Sequence, residues 1–279
     1  MIWWSIVFFA VVFIGITKSG FGSGVGLMIV PMTAIAMGHI PGRGSEAALG
    51  LLLPLLIVGD LIAVWQYFRL FFPKERSDSL GMDAQARRMI VRLMPGTILG
   101  VALGASLLKL IQSRGDLVNA FIRIEIGCES ILLVSLHWWR IYRGAQHRLL
   151  PEPLRSYLTG AFAAISSTLA HAAGPIIAIY LLPLGLDRQL YVGTCAVYFF
   201  LLNSAKVPGY YFSGQFAHAQ LSFTLRFLPL VVIGAIVGKW LNRRMSDTLF
   251  TKIVYIVTFA LGWYILADGI LRLFGRHIA

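Results

Sequence analysis

Apolar residues along this chain gather into eight long blocks that are separated by short polar stretches. The blocks cover roughly residues 2–38, 45–72, 89–111, 117–139, 154–185, 190–212, 221–241 and 249–274. A helix needs about 20 apolar residues to cross the hydrocarbon core of a bilayer, and each block is long enough. Almost no sequence remains for a soluble domain between the blocks. The pattern therefore predicts an all-α, polytopic membrane protein with eight hydrophobic blocks in eight to ten helical segments.

The two longest blocks, the first and the fifth, are each interrupted near the middle. In the first block the stretch KSGFGSGVGLMIVP, from Lys18 to Pro31, has a glycine at every second position. In the fifth block the corresponding stretch is SSTLAHAAGP, from Ser166 to Pro175. Glycine weakens a helix and proline removes a backbone donor, so we expect each block to be broken or re-entrant. Glycines two residues apart do not share one helical face, which disfavours the alternative of a helix-packing stripe.

Breaks of this kind suit the binding of an anion. Non-helical backbone at membrane depth is tolerated only where it is buried in protein or lines a wet cavity. In secondary transporters, broken helices meet near the midplane, and the N-termini of the half-helices direct free N–H groups at the ligand. Glycines allow close approach to the backbone, and hydroxyl groups add neutral donors. The two breaks therefore predict a site for a small oxyanion.

The chain contains an internal repeat. The stretches MPGTILGVALG and LPLVVIGAIVG both read P-x4-G-x3-G, and their matching residues are Pro95, Gly100 and Gly104 in one copy and Pro229, Gly234 and Gly238 in the other. Ser19 and Gly26 also align with Ser167 and Gly174 at one common offset. We therefore predict two membrane repeats, residues 1–147 and 148–279. Small residues four apart also allow close helix packing, which is the plain interpretation of the glycine pairs taken alone.

Basic residues in the loops indicate that the second repeat is inverted relative to the first. Loops 69–92 and 140–155 are rich in arginine and lysine, which marks both as cytoplasmic. Loop 213–225 has no arginine or lysine, whereas the next loop carries Arg243 and Arg244. Only an inverted second repeat places the neutral loop outside and the basic loop inside. Inversion needs an odd number of crossings per repeat, which is met if the first block of each repeat is not one simple helix.

The composition supports a membrane protein and excludes several other classes. The chain is 58% hydrophobic and 13% charged, with a net charge of +12 carried mainly at block ends and in loops. No zinc-ligand spacing or RNA-binding signature accompanies the charge, so we expect no metal, no cofactor and no nucleic acid. Cys128 and Cys195 lie inside apolar blocks and are expected to be packing residues. The first block is too long for a signal peptide, and we expect it to be retained.

Ionisable and polar residues inside the apolar blocks are the candidates for function, because burying them in a bilayer is costly. The predicted substrate-binding residues are Lys18, Ser19, Gly22, Ser23, Gly24, Gly26, Ser167, Thr168, His171, Gly174, Asn203 and Lys206. The predicted proton-coupling residues are Asp60, Glu125, Glu129 and His171. Two buried carboxylates raise each other's proton affinity, and Glu125 and Glu129 are four apart on one helical face.

Each of these residues also has a structural interpretation. Lys18 can extend its ammonium to a membrane interface, and His171 can be a buried histidine bonded to a backbone carbonyl. Lys206 and Asp60, from opposite repeats, can form a structural ion pair. Glu125 and Glu129 equally suit a dimer contact or an ion pair with Arg226. The sequence leaves these alternatives open.

The first half, through ITKSGFGSGVGLMIVPMTAIAMG and LLLPLLIVGDLIAVWQYFR, resembles the TauE/SafE sulfite-exporter family of membrane permeases. The second half, through GAFAAISSTLAHAAGPIIAIYLLPLGLDRQLYVGTCAVYFFLLNSAKVPGYYFSG, is similar to the second repeat of that family. The resemblance implies a multi-pass permease that moves sulfite, sulfonates or related organosulfur anions, generally as an exporter driven by the proton gradient. The chain departs from the denser glycine runs of the family where Ser23 and Val25 interrupt the first break and His171 stands in the second.

These observations predict a secondary transporter in the cell membrane, with a small sulfur-containing anion as substrate and the bilayer as its surroundings. A passive anion channel or a membrane interaction subunit is the alternative, and a homodimer is an open question. An intramembrane hydrolase is disfavoured, because neither Ser19 nor Ser23 sits in the G-x-S-x-G motif of a nucleophile elbow. We therefore expect no enzymatic activity.

Overall fold

The chain folds as a set of helices, which we describe from a computed structural model. The structure describes residues 2–22, 26–40, 47–71, 80–112, 118–143, 151–181, 184, 186, 188–218, 224–242, 244 and 246–274. The helices in these ranges are α1 (Ile2–Gly20), α2 (Ile29–His39), α3 (Ala47–Phe71), α4 (Leu80–Gln112), α5 (Val118–Arg143), α6 (Leu154–Ala170), α7 (Ala173–Leu181), α8 (Arg188–Phe212), α9 (Gln215–His218), α10 (Leu228–Asn242) and α11 (Asp247–Leu273). A 3₁₀ turn, Gly26–Met28, leads directly into α2.

Five of the described helices are long and apolar enough to cross a membrane. These spans are Ile2–Gly20, Ala47–Tyr67, Ala86–Ile111, Gln189–Phe212 and Tyr255–Leu273. The protein is therefore a polytopic helical membrane protein, but length and hydropathy support five spans where the sequence pattern predicted eight blocks. The physical reasons are local: breaks divide the first and fifth blocks into shorter helices, α5 carries charged residues, and α10 has only 15 residues.

Helices α1 and α2 form a hairpin, and so do α6 and α7. The Trp3 ring at the start of α1 stacks on the His39 ring at the end of α2, with 4.1 Å between the ring centroids. At the start of α6, the Arg155 guanidinium donates to the carbonyl oxygen of Tyr180, near the end of α7, over 3.4 Å. The two arms of each hairpin are therefore antiparallel, and the start of the first arm lies on the same side of the molecule as the end of the second arm. The long first and fifth blocks are thus interrupted, as the glycine and proline patterns predicted.

Glycines allow α1 to pack against α10 at backbone contact. A Cβ atom added at Gly234 would overlap the carbonyl oxygen of Val12, and one added at Gly238 would overlap that of Ile16. The contact advances in the same direction along both helices, so α1 and α10 are parallel. The second P-x4-G-x3-G motif is therefore a helix–helix interface.

The first copy of this motif makes the corresponding contact between α4 and α6. A Cβ atom at Gly100 would overlap the carbonyl oxygen of Ala161, and one at Gly104 would overlap the Thr168 side chain. These two helices are also parallel. In both copies, the glycine helix packs on the first arm of a hairpin that comes from the other part of the chain.

The remaining major contacts join α3 to α8 and α5 to α11. Helices α5 and α11 are antiparallel, because Arg123 near the start of α5 pairs with Asp268 near the end of α11, whereas His137 stacks on Tyr255 at the opposite ends. Large apolar side chains such as Trp65, 79% exposed, lie on the outer surface, where lipid would surround them.

Candidate anion site

A cavity lies between the tips of the two hairpins and the middle parts of α3 and α8. The space that the centre of a water-sized sphere can occupy is about 40 Å³. Its polar side chains are Thr17, Lys18, Ser167, His171 and Asn203. The residues that the sequence associates with the two breaks therefore meet at one place, although they are about 150 residues apart along the chain.

The Lys18 ammonium is held at the cavity wall by the carboxylate of Asp60. Lys18 Nζ lies 2.7 Å from Asp60 Oδ1, and the Asp60 side chain is fully buried. The Asn203 amide donates to the second carboxylate oxygen, Oδ2, over 2.6 Å. Lys18 Nζ also lies 4.4 Å from the centroid of the Phe199 ring, a cation–π distance. These contacts join α1, α3 and α8 and leave further N–H donors of the ammonium for a ligand.

Lys206 lies at the break in the second hairpin and has a different set of partners from Lys18. Its Nζ donates to the carbonyl oxygen and to the hydroxyl oxygen of Ser167, each over 2.9 Å, and lies 2.8 Å from His171 Nδ1. The side chain is fully buried. The Asp60 carboxylate forms its ion pair with Lys18 and not with Lys206. The Asp60–Lys206 ion pair considered from the sequence is therefore replaced by an Asp60–Lys18 pair.

His171 ends α6 in the left-handed backbone region, with φ of 51°. Its N–H donates to the Ser167 carbonyl four residues earlier over 3.0 Å, which is the bond of an αL helix end, and the N–H of Ala172 also lies 3.5 Å from the Ser166 carbonyl. Glycine usually occupies this position, because L side chains rarely adopt this conformation. The imidazole is instead held by bonds at both of its nitrogens.

The two ring nitrogens of His171 have different roles. Nε2 lies 3.1 Å from the carbonyl oxygen of Leu49 in α3, and a carbonyl only accepts, so Nε2 carries a proton and donates. Nδ1 faces the ammonium of Lys206, which only donates, so Nδ1 accepts. His171 is therefore neutral in this arrangement and bridges the second hairpin, α8 and α3.

The charges and donors at the cavity favour an anion. Asp60 forms an ion pair with Lys18, whereas the described contacts of Lys206 go to Ser167 and His171 and to no carboxylate. The Ser167 hydroxyl accepts from Lys206, so its own proton is directed to another acceptor. The N-terminus of α7, at Ala173 and Gly174, also lines the cavity, and helix N-termini attract anions.

The family profile described as "Sulfite exporter TauE/SafE" matches residues 7–265. The chain belongs to the TauE/SafE family. The resemblance noted in both halves of the sequence is thereby confirmed, and the chain is a transmembrane permease of a family of sulfite exporters. Neither the comparison with curated proteins nor the comparison with solved structures gave a match.

In this TauE/SafE protein, most of the predicted binding residues lie at or next to the cavity. Lys18, Gly22, Ser167, His171, Gly174 and Asn203 line it. Lys206 lies directly behind Ser167, and Gly26 begins the 3₁₀ turn before α2. Ser23 and Gly24 lie outside the described residues.

Two predicted binding residues stabilise helix contacts. The Thr168 hydroxyl donates to the carbonyl of Ala164 over 2.7 Å, and its own carbonyl accepts from the Tyr210 hydroxyl. Ser19 is fully buried in α1, and its carbonyl oxygen accepts from the Tyr67 hydroxyl over 3.0 Å. Neither side chain is among the described residues that line the cavity.

The carboxyl groups of Glu125 and Glu129 lie close enough on α5 to interact electrostatically, as their spacing predicted. Glu129 also lies near Ser166 of α6, while Arg226 is exposed. The pair therefore lies behind the second hairpin, one residue of α6 away from the cavity-lining Ser167.

Several residues of the site were not predicted from the sequence. Leu49 contributes a backbone carbonyl, which has no sequence signal at all. Phe199 belongs to an apolar run in which a lipid-facing and a cavity-facing ring look the same. Tyr210, whose ring centroid is 5.8 Å from that of His171, could have been noticed only as a hydroxyl inside a membrane helix.

A second buried charge cluster joins α5 and α11, away from the cavity. Arg123 Nη1 and Arg272 Nε lie 2.6 Å and 2.7 Å from the same oxygen of Asp268. Arg123 also reaches the carbonyl of Ala34 in α2, over 3.5 Å. Because Arg123 and Asp268 are fully buried, this cluster connects three helices as a structural element.

Proposed function

We propose that this protein is a secondary transporter of the cell membrane, which exports sulfite or another small sulfur-containing anion and is coupled to protons. The single observation that carries the proposal is the cavity between the hairpin tips, which Lys18 lines and behind whose Ser167 lies a second buried lysine, Lys206. Buried groups of unequal charge in a membrane protein indicate a substrate site for the opposite charge. This arrangement needs no catalytic group.

The size of the cavity favours a compact oxyanion. A space of about 40 Å³ for the centre of a water-sized sphere holds about three or four water-sized groups, since one needs roughly 10–15 Å³. Sulfite, with its sulfur and three oxygens, is of that size. Longer organosulfonates require the hairpin tips to move apart.

We infer that residues 1–147 and 148–279 are inverted repeats. Each begins with a hairpin whose two ends lie on the same side of the molecule. Three further helices follow in each, α3, α4 and α5 or α8, α10 and α11, and an odd number of crossings inverts the second repeat. The equivalent last helices, α5 and α11, pack antiparallel, as a two-fold axis in the membrane plane requires. Such repeats support alternating access around a central site.

Counterflow in reconstituted vesicles tests transport. Vesicles loaded with unlabelled sulfite should transiently accumulate radiolabelled sulfite. Ser167→Ala should raise the half-saturating sulfite concentration about ten-fold, because a hydrogen bond to a charged ligand contributes roughly 1.5–3 kcal/mol. Ser106→Ala is the matched control. Ser106 is an exposed helical serine whose hydroxyl bonds to Ala102, and its removal should change nothing. Passive flux without counterflow would show a channel instead.

Cysteine labelling tests the inversion. In a Cys128→Ser background, Leu225→Cys should react with an impermeant maleimide added outside, and Arg244→Cys should react only after the membrane is opened. Both positions are exposed and lie at opposite ends of α10. Labelling of Leu225→Cys only from the cytoplasm contradicts the inverted arrangement.

A further inference from the structure

The contact between Lys206 and His171 holds one positive charge between two basic groups. Lys206 Nζ lies 2.8 Å from His171 Nδ1, and its other two bonds go to Ser167. His171 Nε2 already donates to the Leu49 carbonyl. With Nε2 protonated, only one proton fits between Nζ and Nδ1, because two N–H groups facing each other cannot bond.

We propose that the Lys206–His171 pair is the binding site for the coupling proton. This inference rests on the proposed transport function and deepens it. A second proton on His171 Nδ1 converts the acceptor into a donor and breaks the bond to Lys206. The two resulting cations repel each other, unless an anion occupies the cavity that His171 and Ser167 line. The anion therefore favours uptake of the proton, and by linkage the proton favours binding of the anion. Proton and anion then cross in the same direction, so a sulfite dianion moves with one net negative charge. An inside-negative membrane potential drives its export, whereas an acid-outside pH gradient at a clamped potential drives its uptake.

The ionisable groups around the pair agree with this coupling. Lys18 on α1 acts through its charge on both His171 and Lys206, whereas Asp60 on α3, its ion-pair partner, acts on Lys206. On α8, the Tyr210 ring lies 5.7 Å from Lys206 Nζ and 5.8 Å from the His171 ring. On α5, Glu125 acts on Tyr210 through its charge, and Glu129 lies near Ser166. Among the described residues Lys206 forms no ion pair with a carboxylate, so the positive charge of the pair is left for the transported anion to neutralise.

The position of His171 links the proton to movement. The residue forms the tip of the second hairpin, and it attaches that tip to α8 through Lys206 and to α3 through Leu49. Loss of the Lys206 bond on protonation releases one of the two attachments that the imidazole makes, while the bonds of Lys206 to Ser167 remain. Proton and anion together thus loosen the hairpin tip beside the cavity, which is where alternating access requires a rearrangement.

The experiment compares uptake of radiolabelled sulfite into vesicles with and without an acid-outside pH gradient, at a clamped membrane potential. The gradient should stimulate uptake several-fold in the wild type. In His171→Gln, which keeps polar atoms but cannot take up a proton, this ratio should fall to about one, whatever the absolute rate. His39→Gln is the matched control, since His39 lies at the open end of the first hairpin and bonds to Ile35. Glu129→Gln tests the carboxyl pair. His39→Gln and Glu129→Gln should both keep the wild-type ratio of uptake with the gradient to uptake without it.

A second measurement uses only the wild type, in case His171→Gln does not fold. Calorimetric titration with sulfite at alkaline pH, in buffers of different ionisation enthalpy, should show uptake of about one proton per bound anion. The proton site is overturned if sulfite binding takes up no proton. It is also overturned if the stimulation by the pH gradient survives in His171→Gln, or if that stimulation is lost in Glu129→Gln. Absence of sulfite counterflow in the wild type would instead remove the proposed transport function, so the two failures are distinguishable.

Discussion

Lys18→Met should abolish sulfite transport and strongly destabilise the protein. The substitution removes a cation from the cavity wall and leaves the fully buried Asp60 carboxylate without its ion-pair partner. Breaking a buried ion pair by removing one partner costs about 3–5 kcal/mol. We expect counterflow to fall to the background of empty vesicles, together with a clear drop in the midpoint of thermal unfolding in detergent.

The double variant Lys18→Met/Asp60→Asn separates binding from stability. It removes the unpaired carboxylate as well, so most of the lost stability should return, whereas transport should not. Transport at the wild-type level in the double variant would assign Lys18 a purely structural role. Lys109→Met is the matched control. Lys109 is an exposed lysine in the last turn of α4, and its replacement should change stability by less than about 0.5 kcal/mol.

Gly234→Val should prevent the protein from folding in the membrane. Any Cβ at this position overlaps the Val12 carbonyl oxygen, and neither backbone can withdraw without separating α1 from α10. Overpacking costs typically 1–3 kcal/mol where side chains can adjust, and we expect more than about 3 kcal/mol where only backbone is available. The fraction of monodisperse protein after detergent extraction measures the effect.

The first copy of the glycine motif provides an independent check. Gly100→Val should lower the fraction of monodisperse protein to the same extent, because its Cβ overlaps the Ala161 carbonyl of α6. Ala102→Val on the exposed face of α4 adds the same bulk beside lipid and should be tolerated. If Gly234→Val and Gly100→Val extract as well as Ala102→Val, the close backbone contacts of the two helix pairs are wrong.

Much of the fold was predictable, because a helix that crosses a bilayer must be apolar over a minimum length. Apolar length marks the helices, and the glycine and proline stretches at 18–31 and 166–175 mark the two interruptions, since helices are weakened there whatever their surroundings. The number of spans was less predictable. Arg123, Glu125 and Glu129 make α5 too polar to count as a span by composition, although its packing against α11 keeps Arg123 buried.

The sequence predicted which residues belong to the candidate site better than it predicted which of those residues pair with each other. A lysine or an aspartate inside an apolar block is conspicuous, because its burial must be compensated. Which lysine compensates Asp60 depends on how α1, α3 and α8 are rotated against each other, and no residue spacing records that rotation. Ser19 and Thr168 were predicted binding residues for the same reason that Ser167 was, yet only the helix orientation separates them from the cavity.

The sequence by itself determined the membrane class, the two broken hairpins, the glycine helices and the set of buried ionisable residues, because each follows from composition or from periodicity along one helix. Only the tertiary structure decided that Lys18 pairs with Asp60, that Lys206 donates to His171, and that a carbonyl of α3 defines which nitrogen of His171 carries the proton. Those pairings depend on distances of about 3 Å between atoms that lie far apart in the chain, and one of the partners is a backbone group common to every residue.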